Sequence, residues 1–202
     1  MFDGKEYLII DDVVKKNFQD LLEETITKQN SWAFRVNVCS VRREDVRHDS
    51  TMGFSLPLYN NFTNVKEDVY TDVVVPLIEE IAKKANIQYN EVLQARGFCL
   101  LPLDKKFIKQ YDCVHIDLDE PHSVFLYYVN DADGDTVLFD KTTEEVPFKG
   151  LDIDPAKLGF KELARVKPKK GRVLIFNGNR YHTSTSPTVG ARFIINVNVN
   201  NK

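Results

Sequence analysis

Hydrophobic residues recur at two different periods along the chain, and the change between them falls near residue 92. The apolar run over residues 7–10 is short and predicts a strand. After it, apolar side chains recur every three or four positions in two stretches, which predicts helices over residues 13–26 and 66–86. The stretch over residues 30–65 has no clear period and predicts a strand or two and a long loop.

Beyond residue 92, apolar and polar positions alternate, which is the period of a half-buried strand. Turn residues such as Asp133-Gly134 and Asn177-Gly178 separate the alternating runs. These runs are rich in β-branched and aromatic residues, and predict strands over residues 94–101, 113–117, 124–130, 136–140, 173–176 and 192–199. Helices followed by closely spaced strands indicate an α+β, mainly β fold, in which N-terminal helices flank a sandwich or jelly-roll barrel.

His115 and Asp117 lie two positions apart in one predicted strand, so their side chains share a face and could reach the same ion. His182 comes shortly after the Asn177-Gly178 turn, from where it could supply a third ligand. Two imidazoles and one carboxylate leave coordination positions open, which is the ligand set of non-haem Fe(II) oxygenases. Zinc accepts the same three ligands and would promote hydrolysis through a bound water, so these residues alone leave both metals open.

The predicted strand over residues 192–199 has two faces of opposite character. One face is apolar throughout and belongs in a core, since it carries Phe193, Ile195, Val197 and Val199. The other face carries Arg192, Ile194, Asn196 and Asn198. Polar groups on this second face need partners or a ligand if they are enclosed. A guanidinium inside a barrel is well shaped to bind a carboxylate through two parallel hydrogen bonds.

Composition narrows the class of protein. A chain of 202 residues with 43% hydrophobic residues suits a single globular domain, with a supporting part over residues 1–91 and a strand-rich core over residues 92–202. Its net charge of −3 gives no general attraction to nucleic acid or to an anionic membrane.

The N-terminal sequence, the short apolar runs and the cysteine content favour a cytoplasmic location. The start of the sequence is acidic, and no run reaches the roughly 18 uncharged apolar residues of a membrane span. We therefore expect neither a signal peptide nor a transmembrane segment. Three cysteines are an odd number without framework spacing, which favours a reducing compartment over a set of disulfides.

The candidate metal ligands, Arg192 and the segments between them resemble, in their order along the chain, the Fe(II)- and 2-oxoglutarate-dependent oxygenases. Within that group they resemble the prolyl-4-hydroxylase-like branch, which includes small phage members. The resemblance covers residues 92–200 and consists of His115-x-Asp117, Tyr127-Tyr128-Val129-Asn130, Asp133-Gly134-Asp135-Thr136, Pro168-Lys169-Lys170-Gly171-Arg172, His182 and Arg192. The first 90 residues match only loosely. Two departures concern the substrate side: Asp133-Gly134-Asp135-Thr136 replaces a Gly-Gly-x-Thr segment, and residues 101–107 replace a Tyr- and Gly-rich one.

The resemblance implies a double-stranded β-helix in which His115, Asp117 and His182 bind Fe(II). It also implies that 2-oxoglutarate chelates the iron and pairs its distal carboxylate with Arg192, and that further residues of its pocket are Tyr128, Thr136 and Asn196. Dioxygen would be the oxidant, succinate and CO2 the products, and ascorbate an accessory reductant. The presence of the Asp117 carboxylate favours hydroxylation of an unactivated C–H over halogenation.

The substrate that the resemblance favours is a peptidyl prolyl residue, with a free amino acid or a nucleobase as alternatives. A non-catalytic jelly-roll binding module is a further hypothesis. The entrance is expected in the loops over residues 30–65, 102–112 and 141–165. The basic run over residues 161–172 lacks stacked aromatic residues, so we expect a solvated turn there rather than contact with nucleic acid.

The other histidines and one cysteine are expected around the site rather than on the metal. We expect His122 in a loop near the entrance and Cys113 buried beside His115, whose strand face it shares. His48 is expected at the surface, in a stretch that could form a substrate lid with Arg42, Arg43 and Arg47.

Overall fold

The computed structural model describes residues 4–36, 38, 51–147 and 154–201. Within these residues the fold is mainly β, as the alternating pattern predicts, with two α-helices: α1 (Lys16–Thr27) and α2 (Val75–Ala85). The strands are β1 (Tyr7–Ile10), β2 (Ala33–Arg35), β3 (Gly53–Asn60), β4 (Val65–Lys66), β5 (Tyr89–Leu100), β6 (Ser123–Tyr128), β7 (Thr136–Thr142), β8 (Glu162–Val166), β9 (Val173–Asn177), β10 (Arg180–Ser184) and β11 (Arg192–Asn201). A π-helical turn over Tyr70–Val74 leads into α2, and a 3₁₀ turn covers Lys105–Phe107.

The strands form two antiparallel sheets. The larger has the order β1-β9-β6-β11-β5-β3-β2, with β4 paired to β3, and the smaller has the order β10-β7-β8. β11 lies between β6 and β5 and pairs with both along most of its length. The large sheet includes β1 to β4, so the first 91 residues supply strands to the same sheet as the strand-rich part of the chain.

The main hydrophobic core lies on one face of the large sheet. The apolar face of β11 contributes to it, and so do both helices, through residues that include Leu22, Ile26, Leu77 and Ile81. Pro76 occupies the first turn of α2, where its missing N–H leaves no helical hydrogen bond unmade. The opposite face of the large sheet packs toward the smaller sheet. Among the described residues, no helix combines the length and apolar character needed to cross a bilayer.

The prediction of a strand over residues 113–117 is wrong. Its strand-like pairing is an isolated antiparallel bridge between His115 and His182, and a further contact with β10 is a hydrogen bond from the Thr183 hydroxyl to the Cys113 carbonyl. Asp112 on one side and Asp119-Glu120-Pro121 on the other are residues that strands disfavour, because they lack β-branched side chains and Pro donates no N–H. The sequence-based argument that strand alternation places the two ligands on one face therefore does not apply here.

The basic run over residues 161–172 differs from the solvated turn that the sequence predicts. Its first part is β8, and its second part is bonded to the N-terminal region. Arg172 and Lys169 pair with Asp11, and Lys170 pairs with acidic side chains of α1. The suggested lid residues Arg42, Arg43, Arg47 and His48 lie outside the described part of the chain.

Candidate metal centre

A cavity of about 100 Å³ lies between the two sheets. β5, β6 and β11 of the large sheet supply one wall, and β7 and β10 of the small sheet supply the other. The apolar part of the lining includes Phe98, Leu126 and Ile194, and the polar part includes His115, Asp117, Thr136, His182, Arg192 and Asn196. Six of the seven proposed site residues thus meet in one cavity, although they come from segments far apart in the sequence.

The three predicted metal ligands are close together. One ligand atom from each of His115, Asp117 and His182 lies within 4.8 Å of the others. The Nε2 atom of His115 is 3.9 Å from Asp117 Oδ1, and the Nε2 atom of His182 is 3.9 Å from Asp117 Oδ2. The two imidazole rings lie side by side, with their centres 4.4 Å apart, and each has a nitrogen near one oxygen of the carboxylate.

Main-chain hydrogen bonds set the spacing of the two histidines. The backbone N–H of His115 donates to the carbonyl of His182 at 2.9 Å, and the reverse bond is 3.0 Å. In addition, His115 Nδ1 donates to the carbonyl of Cys113 at 2.9 Å, and His182 Nδ1 donates to the carbonyl of Arg180 at 3.1 Å. Each ring thereby keeps its Nε2 lone pair for a ligand, as in proteins whose histidines bind metals.

The His182 ring is suited to bind a cation at neutral pH. Burial, helped by the nearby His115, lowers the pKa of His182 to about 4. The imidazole is therefore neutral at pH 7, and a neutral imidazole is the form that binds a metal.

Three side-chain donors hold the Asp117 carboxylate. Asn196 and Asn198 donate to Oδ2 at 3.1 and 3.0 Å, and Arg96 donates to Oδ1 at 3.2 Å. Burial alone would raise the pKa of Asp117, but attraction to His182, which is protonated at the low pH where Asp117 titrates, and to Arg96 outweighs it and keeps the pKa below its usual range. Asp117 is therefore ionised at neutral pH even though its side chain is only 3% exposed.

Arg192 is a buried cation on the same cavity. It is 3% exposed, and it donates a hydrogen bond to Thr136 Oγ1 at 2.7 Å. Its guanidinium carbon lies 5.7 Å from the centre of the Tyr128 ring, which is itself fully buried. Arg192 Nε and the Tyr128 hydroxyl have no hydrogen-bond partner among the described residues.

The charge of Arg192 is only partly balanced. Within the described residues, no carboxylate oxygen lies within 4.0 Å of its guanidinium. Asp112 is near enough to influence it, but this carboxylate accepts hydrogen bonds from Ser184 and Ser186 at 3.1 and 3.2 Å. A buried cation without a carboxylate partner is costly, so the site is suited to an anionic ligand.

Other predicted residues occupy different places from those expected. Tyr128 is not part of the cavity lining and lies behind it, with its ring against Arg192. Asn196 lines the cavity, but its amide is bonded to Asp117. His122 lies in the loop before β6 and outside the ligand cluster, as expected, but its ring is 1% exposed and fills the space beside Gly178 instead of lying at an entrance. Cys113 is half-buried, and its carbonyl accepts the hydrogen bond from His115 Nδ1.

Sequence reasoning missed Arg96 as a partner of Asp117, and it placed Asn198 only on the polar face of its strand. Cross-strand pairing brings Arg96 opposite Asn196, and Gln94 opposite Asn198. The available signal was the alternation within residues 94–98, which puts Gln94, Arg96 and Phe98 on one face. That face could be connected to Asp117 only by knowing which strand pairs with which.

Comparisons with known proteins concern the fold. No protein-family profile matches the chain, and no curated protein matches it. A prolyl-4-hydroxylase from Pseudomonas putida is similar, with a TM-score of 0.58 at 10% identity, over 100% of this chain and 95% of that one. SnoK, a non-haem α-ketoglutarate-dependent carbocyclase from nogalamycin biosynthesis, has a TM-score of 0.67 at 13% identity, over 98% and 81% of the two chains.

HygX from Streptomyces hygroscopicus, solved with nickel and 2-oxoglutarate bound, has a TM-score of 0.61 at 14% identity, over 100% of this chain and 85% of that one. All three similarities extend over nearly the whole chain at low identity, which is the pattern of a shared fold. The chain therefore has the fold of the non-haem iron, 2-oxoglutarate-dependent oxygenases, a group of structures in which prolyl-4-hydroxylases are prominent.

Proposed function

We propose that this protein is an Fe(II)- and 2-oxoglutarate-dependent hydroxylase. The observation that carries the proposal is the pairing of two features in one cavity. The first is the set of ligand atoms from His115, Asp117 and His182, which lie within 4.8 Å of one another. The second is the buried, carboxylate-free guanidinium of Arg192 on the same cavity. A divalent cation would bind the three ligand atoms, and a dianionic co-substrate would balance the charge of Arg192.

The side chains fit these two groups chemically. Two imidazoles and an ionised carboxylate suit Fe(II), and they leave coordination positions for a second ligand. Arg192 presents a planar set of donors to a carboxylate, and Thr136 holds it by a 2.7 Å hydrogen bond. The buried Arg192 Nε and Tyr128 hydroxyl, which have no partner among the described residues, are donors that the distal carboxylate of 2-oxoglutarate would accept from.

When bound, iron, 2-oxoglutarate and dioxygen supply the oxidation that converts a substrate C–H to C–OH, with release of succinate and CO2. The protein contributes binding, orientation and exclusion of water. Arg96, Asn196 and Asn198 hold Asp117 ionised and fix its direction. The apolar wall formed by Phe98, Leu126 and Ile194 limits water around the reacting groups.

For the substrate we propose a prolyl residue of a peptide, and for the domain organisation one catalytic domain that spans residues 1–202. The similarity to a prolyl-4-hydroxylase over 95% of its length supports both. We further propose that the two sheets form the closed double-stranded β-helix that the resemblance implies, with α1 and α2 bracing it through the core that they share with the large sheet.

An anaerobic titration tests the cofactor assignment. Fe(II) and 2-oxoglutarate added together to the full chain should give a weak visible charge-transfer band, and His115→Ala should abolish it. Arg192→Met should leave Fe(II) binding intact and weaken 2-oxoglutarate binding by about 30-fold or more, because loss of one partner of a buried charge pair costs about 2–5 kcal/mol.

Arg165→Met is the matched control, because Arg165 is partly exposed, pairs with Glu162 and Asp135, and does not line the cavity. It should bind 2-oxoglutarate like the unaltered protein. Equal affinities in the Arg192→Met and Arg165→Met variants would contradict the assignment of Arg192. Absence of the band, together with no succinate under air on any substrate, would contradict the proposed function as a whole.

A further inference from the structure

A second cavity, of about 190 Å³, adjoins the candidate metal centre. We name it the β3 cavity, because Ser55, Pro57 and Tyr59 of β3 form one side of it. It shares Arg96 and Phe98 with the first cavity, so the two are contiguous at these side chains. None of the roles proposed above for iron or 2-oxoglutarate involves the rest of this space.

The lining of the β3 cavity is positively charged. Among the described residues that line it are two guanidinium groups, Arg35 and Arg96, and no Asp or Glu. Arg35 donates from Nε to Ser55 Oγ at 2.7 Å, and this bond directs its side chain along β3. Within the described ranges, Arg35 forms no ion pair with a carboxylate. A guanidinium has five N–H donors, and the bond to Ser55 uses one of them.

Arg96 connects the two cavities. One of its nitrogens donates to Asp117 Oδ1 at 3.2 Å, and its guanidinium carbon lies 5.0 Å from the centre of the Phe98 ring. Arg96 is thus a cationic side chain that lines both cavities.

Gln94 provides a hydrogen-bond acceptor in the β3 cavity, in addition to the guanidinium donors. It lines the β3 cavity two residues before Arg96, and its Oε1 is buried without a hydrogen-bond partner among the described residues. A buried carbonyl oxygen without a donor costs about 1–3 kcal/mol, so this position favours a ligand that carries an N–H. The cavity therefore offers donors for an anion and an acceptor for an N–H group.

We propose that the β3 cavity binds a carboxylate of the substrate, with an N–H group beside it, while the carbon to be hydroxylated lies at the metal centre. This inference rests on the proposed function, because it treats the β3 cavity as part of the same substrate site. It narrows the substrate class to carboxylate-bearing molecules, which are free amino acids or peptides with an acidic residue near the target. Proline within a peptide has no N–H, so in a peptide the N–H comes from a neighbouring residue.

A binding experiment on the full chain without metal tests this site apart from catalysis. N-acetylglycine carries a carboxylate beside an amide N–H, and N-acetylglycinamide is its uncharged counterpart. N-acetylglycine should shift the Nε–H NMR resonance of Arg35 in a saturable manner, and N-acetylglycinamide should not. Arg35→Gln should weaken N-acetylglycine binding by about tenfold or more, the scale of a lost charged hydrogen bond.

Two variants separate this site from the rest of the protein. Arg35→Lys should retain part of the affinity, and Arg165→Gln, on an exposed side chain paired with Glu162, should retain all of it. Equal binding of the acid and the amide would overturn the proposal. So would unchanged affinity in Arg35→Gln, or binding of inorganic phosphate with no binding of N-acetylglycine.

Turnover then distinguishes the two sources of carboxylate. Succinate release with free proline identifies an amino-acid substrate, and release with a prolyl peptide that has an adjacent Asp, but less with its Asn counterpart, identifies an acidic peptide. Both results support the proposal, whereas equal release with the Asp and Asn peptides overturns it. If N-acetylglycine binds at Arg35 and no substrate gives succinate, the carboxylate site stands and the oxygenase proposal fails.

Discussion

Asn198→Ala tests whether the hydrogen bonds to Asp117 tune the metal centre. Asn198 donates to Asp117 Oδ2 at 3.0 Å, in a position where the Asp117 side chain is 3% exposed. A hydrogen bond to a charged group is worth about 1.5–3 kcal/mol, and about 1.4 kcal/mol corresponds to a factor of ten in affinity. We therefore expect the dissociation constant for Fe(II) or Mn(II) to rise by about tenfold to a hundredfold, the range seen when residues that orient metal ligands are changed.

The same variant should lose little stability. Asn198 is fully buried, and its Oδ1 has no hydrogen-bond partner among the described residues, so its removal also takes away an unsatisfied acceptor. Urea denaturation without metal should therefore show a smaller loss in the free energy of unfolding than the loss in the free energy of metal binding. This difference separates an effect on Asp117 from general damage to the fold.

Anaerobic isothermal titration with Mn(II) is the appropriate assay. Asn200→Ala is the matched control, because Asn200 lies on the same strand, opposite Glu91, and outside the cavity lining. It should bind Mn(II) like the unaltered protein. If Asn198→Ala and Asn200→Ala bind Mn(II) equally well, the hydrogen bond from Asn198 does not support the metal site and the reasoning is refuted.

Three further predictions concern other parts of the fold. Asp11→Asn should destabilise the protein at pH 7 by about 0.5–1 kcal/mol, the size expected for a partly exposed ion pair, because Arg172 lowers the pKa of Asp11 from 3.8 to about 2. The ion pair stabilises the fold above pH 3.8, and this stabilisation is lost as the pH falls from 3.8 to about 2. The difference in urea midpoint between the variant and the unaltered protein should therefore vanish over that pH range. Gly134→Ala should weaken 2-oxoglutarate binding, measured calorimetrically, because a Cβ there would lie 3.2 Å from Arg192 Cδ and 2.6 Å from a carbonyl. Thr136→Val should raise the dissociation constant of 2-oxoglutarate by about tenfold while Mn(II) affinity stays unchanged, because it removes the hydrogen bond that orients Arg192.

The parts of the site that sequence reasoning predicted are those with a local signal. The alternation in residues 192–199 separates an apolar face from a polar one, and the structure places them in the core and on the cavity, respectively. His182 could be proposed because it follows a turn at the end of a strand-like run. Period and turn chemistry act over a few residues, so they can be read from a single sequence.

The parts that could not be predicted depend on which strands pair. Arg96 reaches Asp117 because β5 lies beside β11 in a particular register, with Arg96 opposite Asn196. No local pattern specifies that register. The strand prediction for the segment around His115 was wrong for a related reason: its pairing with β10 is an isolated bridge supplemented by side-chain hydrogen bonds, and neither has a periodic pattern.

The position of β11 in the large sheet has a consequence for how the protein is made. β11 pairs with β6 and β5, and both of these strands leave the ribosome before it. Synthesis at about 5–20 residues per second leaves those two strand edges unpaired for seconds, a state that is prone to aggregation. Until β11 arrives, Asp117 also lacks the hydrogen bonds from Asn196 and Asn198, so its carboxylate takes its final position only after this strand has been made.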